Sequence, residues 1–295
     1  MELFKGSGVA LVTPFKNDGS IDYIALRKLI DFQIENNTDA IIITGTTGES
    51  ATLSYIEHLN VIEECINHVD GRIPVIAGTG SNCTKSAINM SKEAENLGAD
   101  GLLIVTPYYN KTTQFGLINH YSKISEKVNI PIILYNVPSR TGLNIEPNTV
   151  KELVEKNKNI KGIKEASGNI NNVLEIKELL GDKINIYSGN DDQIVPILSV
   201  GGVGVISVIA NILPQETHDL VMNYLSGNIE LSKKEQLKML KLIKTLFKET
   251  NPIPIKKALE EMNMINGTLR EPLIEMQEEN KKTLIKEMKN YGIEF

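Results

Sequence analysis

A lysine lies near the middle of the chain in an apolar, strand-like run, Ile160–Asn169. Burial at the end of a strand disfavours the charged form of a lysine, so this position is costly unless the amine does chemistry. The same penalty lowers the pKa of the amine and frees it to attack a carbonyl. We therefore interpret Lys164 as a candidate Schiff-base lysine, although a lone lysine at a strand end is more often a surface residue.

Hydroxyl groups and one arginine follow neighbouring strand-like runs. Tyr135 lies one strand-and-helix unit before Lys164, and a tyrosine can carry protons to and from a carbinolamine or simply belong to the core. Thr46 and Thr47 lie between two glycines, in a turn that could present N–H groups to a carboxylate, although threonines there are commonly helix caps. Arg140 could bind a second carboxylate in a bidentate fork, although loop arginines are usually solvated.

Eight short β-branched runs recur along the chain, and each is followed by a segment with helical spacing. The runs are Val9–Thr13, Ala40–Thr44, Pro74–Ala77, Gly101–Thr106, Pro131–Asn136, Ile160–Lys164, Ile184–Ser188 and Val203–Val208. This alternation predicts a parallel sheet covered on both faces, and the count favours a closed (β/α)8 TIM barrel over an open sheet, which stays the alternative. Active sites of such barrels lie at the carboxyl ends of the strands, so the candidate residues are expected to converge there.

The pattern becomes wholly helical after Gly227. The predicted helices are Ser232–Glu249, Ile253–Met262 and Pro272–Tyr291. No Pro-, Gly- or Ser-rich linker separates this part from the preceding one. We therefore predict a barrel with the active site over residues 1–226 and a helical region packed on it over residues 227–295.

Composition limits the classes of partner. The net charge is −6 and basic residues form no long blocks, which argues against nucleic acid or an anionic membrane as a partner. The four histidines are scattered without ligand spacing, so no metal site is expected. Cys65 and Cys83 lack paired spacing, which favours a reducing compartment. No signal-peptide pattern or long apolar run is visible, so we expect a soluble, cytoplasmic protein.

Four segments carry a resemblance to a known family: Gly45–Ser50, Thr106–Asn110, Tyr135–Gly142 and Gly162–Asn169. Together they resemble the dihydrodipicolinate synthase / N-acetylneuraminate lyase superfamily of pyruvate-dependent class I aldolases, and the similarity runs over essentially the whole chain. The arginine in the third segment resembles the dihydrodipicolinate synthase branch. Sialate lyases and 2-keto-3-deoxy acid aldolases usually lack that arginine.

The resemblance implies a mechanism and an assembly. Lys164 would form an imine with pyruvate, without any metal, flavin or pyridoxal cofactor. Tyr135, Thr46 and Tyr109 would form a hydroxyl relay for protons, with Tyr109 entering the active site of a neighbouring subunit. A dimer would then be the smallest competent unit, and a homotetramer built as a dimer of dimers is expected.

The resemblance also implies how the substrates bind. Thr47 would help bind the pyruvate carboxylate, Gly189 and Ile206 would line the site through backbone groups, and Arg140 would bind the carboxylate of L-aspartate 4-semialdehyde. The implied reaction joins these two substrates in lysine and diaminopimelate biosynthesis. Two alternatives stay open: an aldolase that acts on a sugar-derived keto acid, and a non-catalytic barrel that binds or senses pyruvate.

One departure concerns regulation. Lysine-inhibited members of the family generally place an acidic residue and a histidine in a pocket at the dimer interface. Ser86 and Tyr55 occupy the matching positions here, so the resemblance implies weak or absent inhibition by lysine. The other pocket positions fit the family: Ser50, Ala51, His58, Asn82 and Tyr108.

Overall fold

The computed structural model describes residues 3–295, and its centre is a closed barrel of eight parallel strands. The strands follow one another around the barrel in chain order, and the last pairs with the first. They are β1 Gly6–Ala10, β2 Ala40–Ile43, β3 Val75–Gly78, β4 Gly101–Val105, β5 Ile132–Asn136, β6 Ile160–Glu165, β7 Asn185–Ser188 and β8 Gly204–Ser207. The predicted (β/α)8 barrel is confirmed, and the open-sheet alternative is wrong.

Helices cover the barrel and continue beyond its last strand. The barrel helices are α1 Tyr23–Glu35, α2 Tyr55–Val69, α3 Thr84–Asn96, α4 Gln114–Ser125, α5 Pro138–Thr141, α6 Pro147–Lys156, α7 Ile170–Leu180, α8 Ile194–Ser199 and α9 Pro214–Leu225. The later helices are α10 Ile229–Leu246, α11 Ile253–Glu261 and α12 Glu278–Tyr291. Asp22, Ser54 and Thr113 cap α1, α2 and α4 by accepting hydrogen bonds from first-turn N–H groups.

Side chains of the strands alternate between the barrel interior and the surrounding helices. Ile41 and Ile43 of β2 belong to the outer core, whereas Ile42 belongs to the inner cluster. Within the inner cluster the ring of Tyr187 stacks on Phe4 with 4.5 Å between centroids. The Tyr187 hydroxyl also donates to the Phe4 carbonyl at 2.8 Å. The amino-terminal segment therefore packs into the barrel interior, at the end away from the loops that follow the strands.

The first strand begins earlier than predicted. We expected Val9–Thr13, but the strand is Gly6–Ala10. Glycines weaken the strand pattern of a sequence, so the true start was hidden. Close packing explains one of them, because a Cβ on Gly8 would lie only 2.6 Å from Cδ1 of Ile42. The three residues after β1 are buried, in the loop that leads away from the strand.

The carboxyl-terminal helices are present, with shifted bounds. The first begins at Ile229 instead of Ser232, and the last begins at Glu278 instead of Pro272. The segment before Glu278 buries Met276 without forming a helix, so its apolar spacing was mistaken for a helical stripe. Within residues 3–295, no helix combines the length and hydropathy needed to cross a bilayer.

Buried polar contacts join these later helices to the barrel. Gln236 of α10 donates to the carbonyl of Asp191 at 2.9 Å and accepts from the N–H of Val195 at 3.2 Å. Lys256 of α11 forms an ion pair with Glu49, and both side chains are 0% exposed. The helical region therefore packs on the same end of the barrel that carries the loops after β2 and β7.

Candidate active site

A cavity of 190 Å³ opens at the carboxyl ends of the strands. Six of the predicted site residues line it: Thr46, Thr47, Tyr135, Arg140, Lys164 and Gly189. The other lining residues are Ala10, Ile42, Gly45, Leu103, Val137, Ser139, Ala166, Asn190, Val208, Phe247 and Asn251. The barrel topology thus brings residues from distant parts of the chain to one place, as the sequence predicted.

Lys164 lies near the end of β6 and is 5% exposed. It stands between Tyr135 of β5 and Tyr187 of β7 in the sheet register. The pKa of Lys164 is lowered to about 8, chiefly by burial; the charge of Asp191 raises it and the charge of Arg140 lowers it. About a tenth of the amine is then neutral at pH 7, so the group is poised to act as a nucleophile.

Tyr135 presents its ring to this lysine, with Lys164 Nζ 4.6 Å from the ring centroid. Burial raises the pKa of Tyr135, while the charge of Arg140 and a hydrogen bond with the Thr46 side chain lower it. The phenol therefore stays protonated near neutral pH and can donate a proton to an oxygen formed next to the amine. The hydroxyl pair of Tyr135 and Thr46 forms a short path for that proton.

Thr46 and Thr47 occupy a turn after β2 and do not cap a helix. Ser54 fulfils the capping role for α2, so the alternative reading of the threonines as caps is wrong. Thr47 Oγ1 accepts a hydrogen bond from Nδ2 of Asn251 at 3.0 Å. The turn packs closely at Gly48, where a Cβ would lie 3.1 Å from the carbonyl oxygen of Leu11. The turn thereby fixes both threonine side chains at the cavity.

Arg140 lies on the short helix α5, whose first residue is a proline. Its Nη2 donates to the carbonyl of Asn251 at 3.0 Å. This hydrogen bond fixes the guanidinium through one nitrogen, and the remaining N–H groups can still bind a carboxylate. The cavity wall thus carries two cations, Arg140 and Lys164, and no carboxylate side chain among its lining residues.

Two predicted residues lie away from this cavity. Tyr109 is 92% exposed in a loop after β4, with a left-handed backbone (φ 69°). Ile206 is fully buried in the inner cluster on β8, and Val208, two residues further on, reaches the cavity wall. A single chain therefore brings six of the eight predicted residues together.

Comparison with known proteins shows which family this sequence belongs to. The model of the dihydrodipicolinate synthetase family matches residues 3–291. The chain belongs to this family. The 4-hydroxy-tetrahydrodipicolinate synthases of Caldicellulosiruptor bescii and Clostridium tetani are 60% and 53% identical over 293 residues, which is 99% of each chain. The solved dihydrodipicolinate synthase of Aquifex aeolicus is 44% identical with a TM-score of 0.97, covering 98% of this chain and 99% of its own.

A second cavity, of 550 Å³, adjoins the first and shares four lining residues with it: Thr46, Val137, Arg140 and Asn251. Six of the residues that the family resemblance assigned to a regulatory pocket line it: Ser50, Ala51, Tyr55, His58, Ser86 and Tyr108. Asn82 is not on its wall. The lining carboxylate, Glu49, is already engaged by a buried lysine, so the wall offers no free acid to an ammonium group.

Sequence reasoning missed part of the wall of the active-site cavity. Asn251 comes from the segment before α11, in the sequence Asn-Pro-Ile-Pro, whose prolines indicate only a break between helices. Phe247 and Ser139 line the cavity without any pattern that marks them. Asn251 contacts Thr47 across 204 residues of the chain and Arg140 across 111 residues, and no local signal could reveal contacts at such separations.

Proposed function

We propose that this protein catalyses the 4-hydroxy-tetrahydrodipicolinate synthase reaction, which condenses pyruvate with L-aspartate 4-semialdehyde in lysine and diaminopimelate biosynthesis. The observation that carries the proposal is a buried lysine with a lowered pKa, Lys164, facing the ring of Tyr135 in a cavity that also holds Arg140. Two findings support the choice of reaction: the chain belongs to the family, and it is 60% identical over 99% of its length to a synthase of that name. The protein is accordingly a lyase.

The chemistry begins at the lysine amine. The neutral amine of Lys164 adds to the ketone of pyruvate, and the carbinolamine loses water to give an iminium. Loss of a proton from the methyl group gives an enamine, whose carbon attacks the aldehyde of the second substrate. The amine of that substrate then attacks the imine carbon, closes the ring and releases Lys164. The iminium itself is the electron sink, so the scheme uses no metal or organic cofactor.

Each neighbouring group has a role in this scheme. Tyr135 and Thr46 transfer the protons of carbinolamine formation and breakdown. Thr47 holds the pyruvate carboxylate, with Gly189 beside it, and Arg140 holds the carboxylate of the semialdehyde. For Ile206 we propose a contribution through its backbone, since its side chain belongs to the inner cluster and does not line the cavity.

The proposal includes an assembly. Tyr109 projects from its loop almost fully exposed, and a second copy of the chain would bury it and receive its hydroxyl into the proton relay. We propose a dimer as the minimal active unit, a dimer of dimers as the complete protein, and a cytoplasmic location, where Cys65 and Cys83 remain free thiols.

Borohydride trapping tests the lysine assignment. Pyruvate and borohydride should add one reduced adduct to the wild-type protein, located on Lys164 by peptide mass spectrometry. Lys164→Ala should abolish the adduct, whereas Lys161→Ala should keep it, because Lys161 belongs to the same strand but does not line the cavity. An adduct that persists in Lys164→Ala would refute the assignment.

Condensation of pyruvate with L-aspartate 4-semialdehyde, coupled to NADPH oxidation by the downstream reductase, tests the reaction. Robust turnover is expected. A trapped pyruvate adduct without turnover would favour an aldolase that uses another aldehyde. Absence of both would favour a barrel that does not catalyse this chemistry.

A further inference from the structure

A buried carboxylate that the proposed reaction does not use lies directly behind the cavity wall. Asp191 follows β7 and is 2% exposed. The two preceding residues, Gly189 and Asn190, line the cavity, whereas Asp191 does not. An acid is costly to bury in this way unless its charge is compensated, so its location requires an explanation.

Asp191 joins the ends of two strands. Its Oδ2 accepts hydrogen bonds from the N–H groups of Val208 at 3.1 Å and Ile209 at 2.9 Å, just after β8. Its own carbonyl accepts from Gln236 of α10 at 2.9 Å. No hydrogen bond to Oδ1 is present among residues 3–295, and the nearby Ser207 side chain lowers the pKa of the carboxyl group. The backbone hydrogen bonds to Oδ2 therefore hold the carboxylate in place behind the cavity wall.

The chain that leads to Asp191 runs against the stem of Lys164. The N–H of Gly189 donates to the carbonyl of Glu165 at 2.8 Å. A Cβ built on Gly189 would lie 3.1 Å from Cγ of Lys164. The two side chains also interact through their charges. Asp191 raises the pKa of Lys164, and Lys164 lowers the pKa of Asp191, although burial is the larger effect and leaves the pKa of Asp191 above its ordinary value.

The other ionisable groups around Lys164 do not supply a negative charge. Tyr135 faces it from β5 as a protonated phenol, and Arg140 on α5 adds a second cation. Glu165 is next to Lys164 in sequence, but its carboxylate turns away and accepts hydrogen bonds from Asn136 and Asn172. This leaves Asp191 as the acid whose charge is directed at the lysine.

We propose that Asp191 is a positioning residue that supplies the counter-charge for the iminium formed on Lys164. The inference rests on the proposed function. The Lys164 amine and the pyruvate ketone combine with one proton, delivered through Tyr135, to give the iminium and one molecule of water. The new C–N double bond carries a positive charge in a site that already contains Arg140. A fixed anion beyond the wall stabilises that charge and keeps the imine protonated, which is the form that acidifies the pyruvate methyl group.

Asp191→Asn tests the proposal, because the amide keeps the shape and can still accept the two backbone hydrogen bonds. Asp192→Asn is the matched control, since Asp192 is the next residue along the chain and is exposed. The measurement is borohydride-quenched imine formation with pyruvate, followed by mass spectrometry between about pH 6 and pH 10, which extends about two units on either side of the Lys164 pKa of about 8.

Two effects of opposite sign are expected in Asp191→Asn. The pH at which imine formation reaches half its maximal rate should fall by about one unit, because the lysine loses the anion that favours its protonated form. The pyruvate concentration for half-maximal trapping should rise about tenfold, because the iminium loses the same anion. Asp192→Asn should change neither. If the substitution only disturbed the packing of the cavity wall, pyruvate trapping would weaken but the pH of half-maximal rate would stay the same.

An unshifted pH profile in folded Asp191→Asn would overturn the proposal. Asp191→Glu provides a second test if the amide variant does not fold: it keeps the charge and should keep the wild-type profile, and a profile displaced to lower pH would contradict the inference. Failure of the proposed function is a separate outcome, because wild-type protein would then give no trapped pyruvate at all.

Discussion

Removing the buried lysine that pairs with Glu49 should destabilise the whole fold. Lys256 Nζ donates to Glu49 and to the carbonyl of Thr268 at 2.7 Å, and lies 4.1 Å from the centroid of the Phe15 ring. In Lys256→Met the methionine fills most of the volume, but the Glu49 carboxylate stays buried with the N–H of Arg270, at 3.1 Å, as its remaining hydrogen-bond partner.

The expected cost follows from that arrangement. Breaking a buried ion pair by removing one partner costs about 3–5 kcal/mol, because the other charge is left uncompensated. A typical domain has a free energy of unfolding of about 5–15 kcal/mol, so this single change would remove a large part of the stability. Removing both charges in Lys256→Met/Glu49→Gln should cost less than the sum of the single changes, with a coupling of about 2 kcal/mol or more.

Urea unfolding at one fixed protein concentration gives the free energies, since assembly would otherwise contribute to stability. Lys257→Met is the matched control. That neighbouring lysine pairs with Glu260 and Glu261 on its own helix, and such partly solvated pairs contribute at most about 1 kcal/mol. Equal losses for the two lysine variants, or single losses that add in the double variant, would refute the reasoning.

Four further outcomes are expected at the active site and its neighbouring cavity. Arg140→Ala should raise the KM for the semialdehyde about tenfold and change the KM for pyruvate much less, because only the semialdehyde loses charge-assisted hydrogen bonds. Equal changes in the two KM values would contradict the assignment. Tyr109→Phe should lower turnover about a hundredfold with an unchanged circular dichroism spectrum, and unchanged turnover would exclude the relay role. The rate of imine formation at Lys164 should rise about tenfold from pH 7 to pH 9 as the amine, with a pKa of about 8, loses its proton; a flat profile would contradict this. Lysine should inhibit weakly in a steady-state assay, because Ser86 and Tyr55 line the second cavity where an acid would be needed, and inhibition at micromolar lysine would refute this.

Sequence reasoning predicted the barrel because its signals are periodic and repeated. Eight β-branched runs at regular spacing give the strand count, and the rule that barrel sites lie at strand ends then brings Lys164, Tyr135 and Thr46 together. Their face is also readable, since Lys164 and Gly162 share a parity along β6 and both point inward. In the structure Lys164 lines the cavity, and a Cβ on Gly162 would contact Tyr187 and Ile133 of the inner cluster.

The parts that were missed depend on contacts between distant segments. The start of β1 was hidden by glycines whose role is close packing against neighbouring strands. Asn251 and Asp191 matter through their distance to other residues, and neither has a local pattern that distinguishes it from an ordinary polar residue in a turn. Tyr109 could be assigned only through resemblance, because within one chain it contacts solvent.

The ion pair between Glu49 and Lys256 has a consequence for engineering. The turn at Gly227 looks like a natural place to divide the gene, since α9 ends just before it. Yet Arg270 stacks on Phe15 at 4.4 Å and its side chain donates to the carbonyls of Gly19 and Thr52, so the last quarter of the chain closes over the first loops of the barrel. A chimera whose new carboxyl-terminal part lacks a lysine at the position of Lys256 would keep the buried carboxylate of Glu49 without its cation.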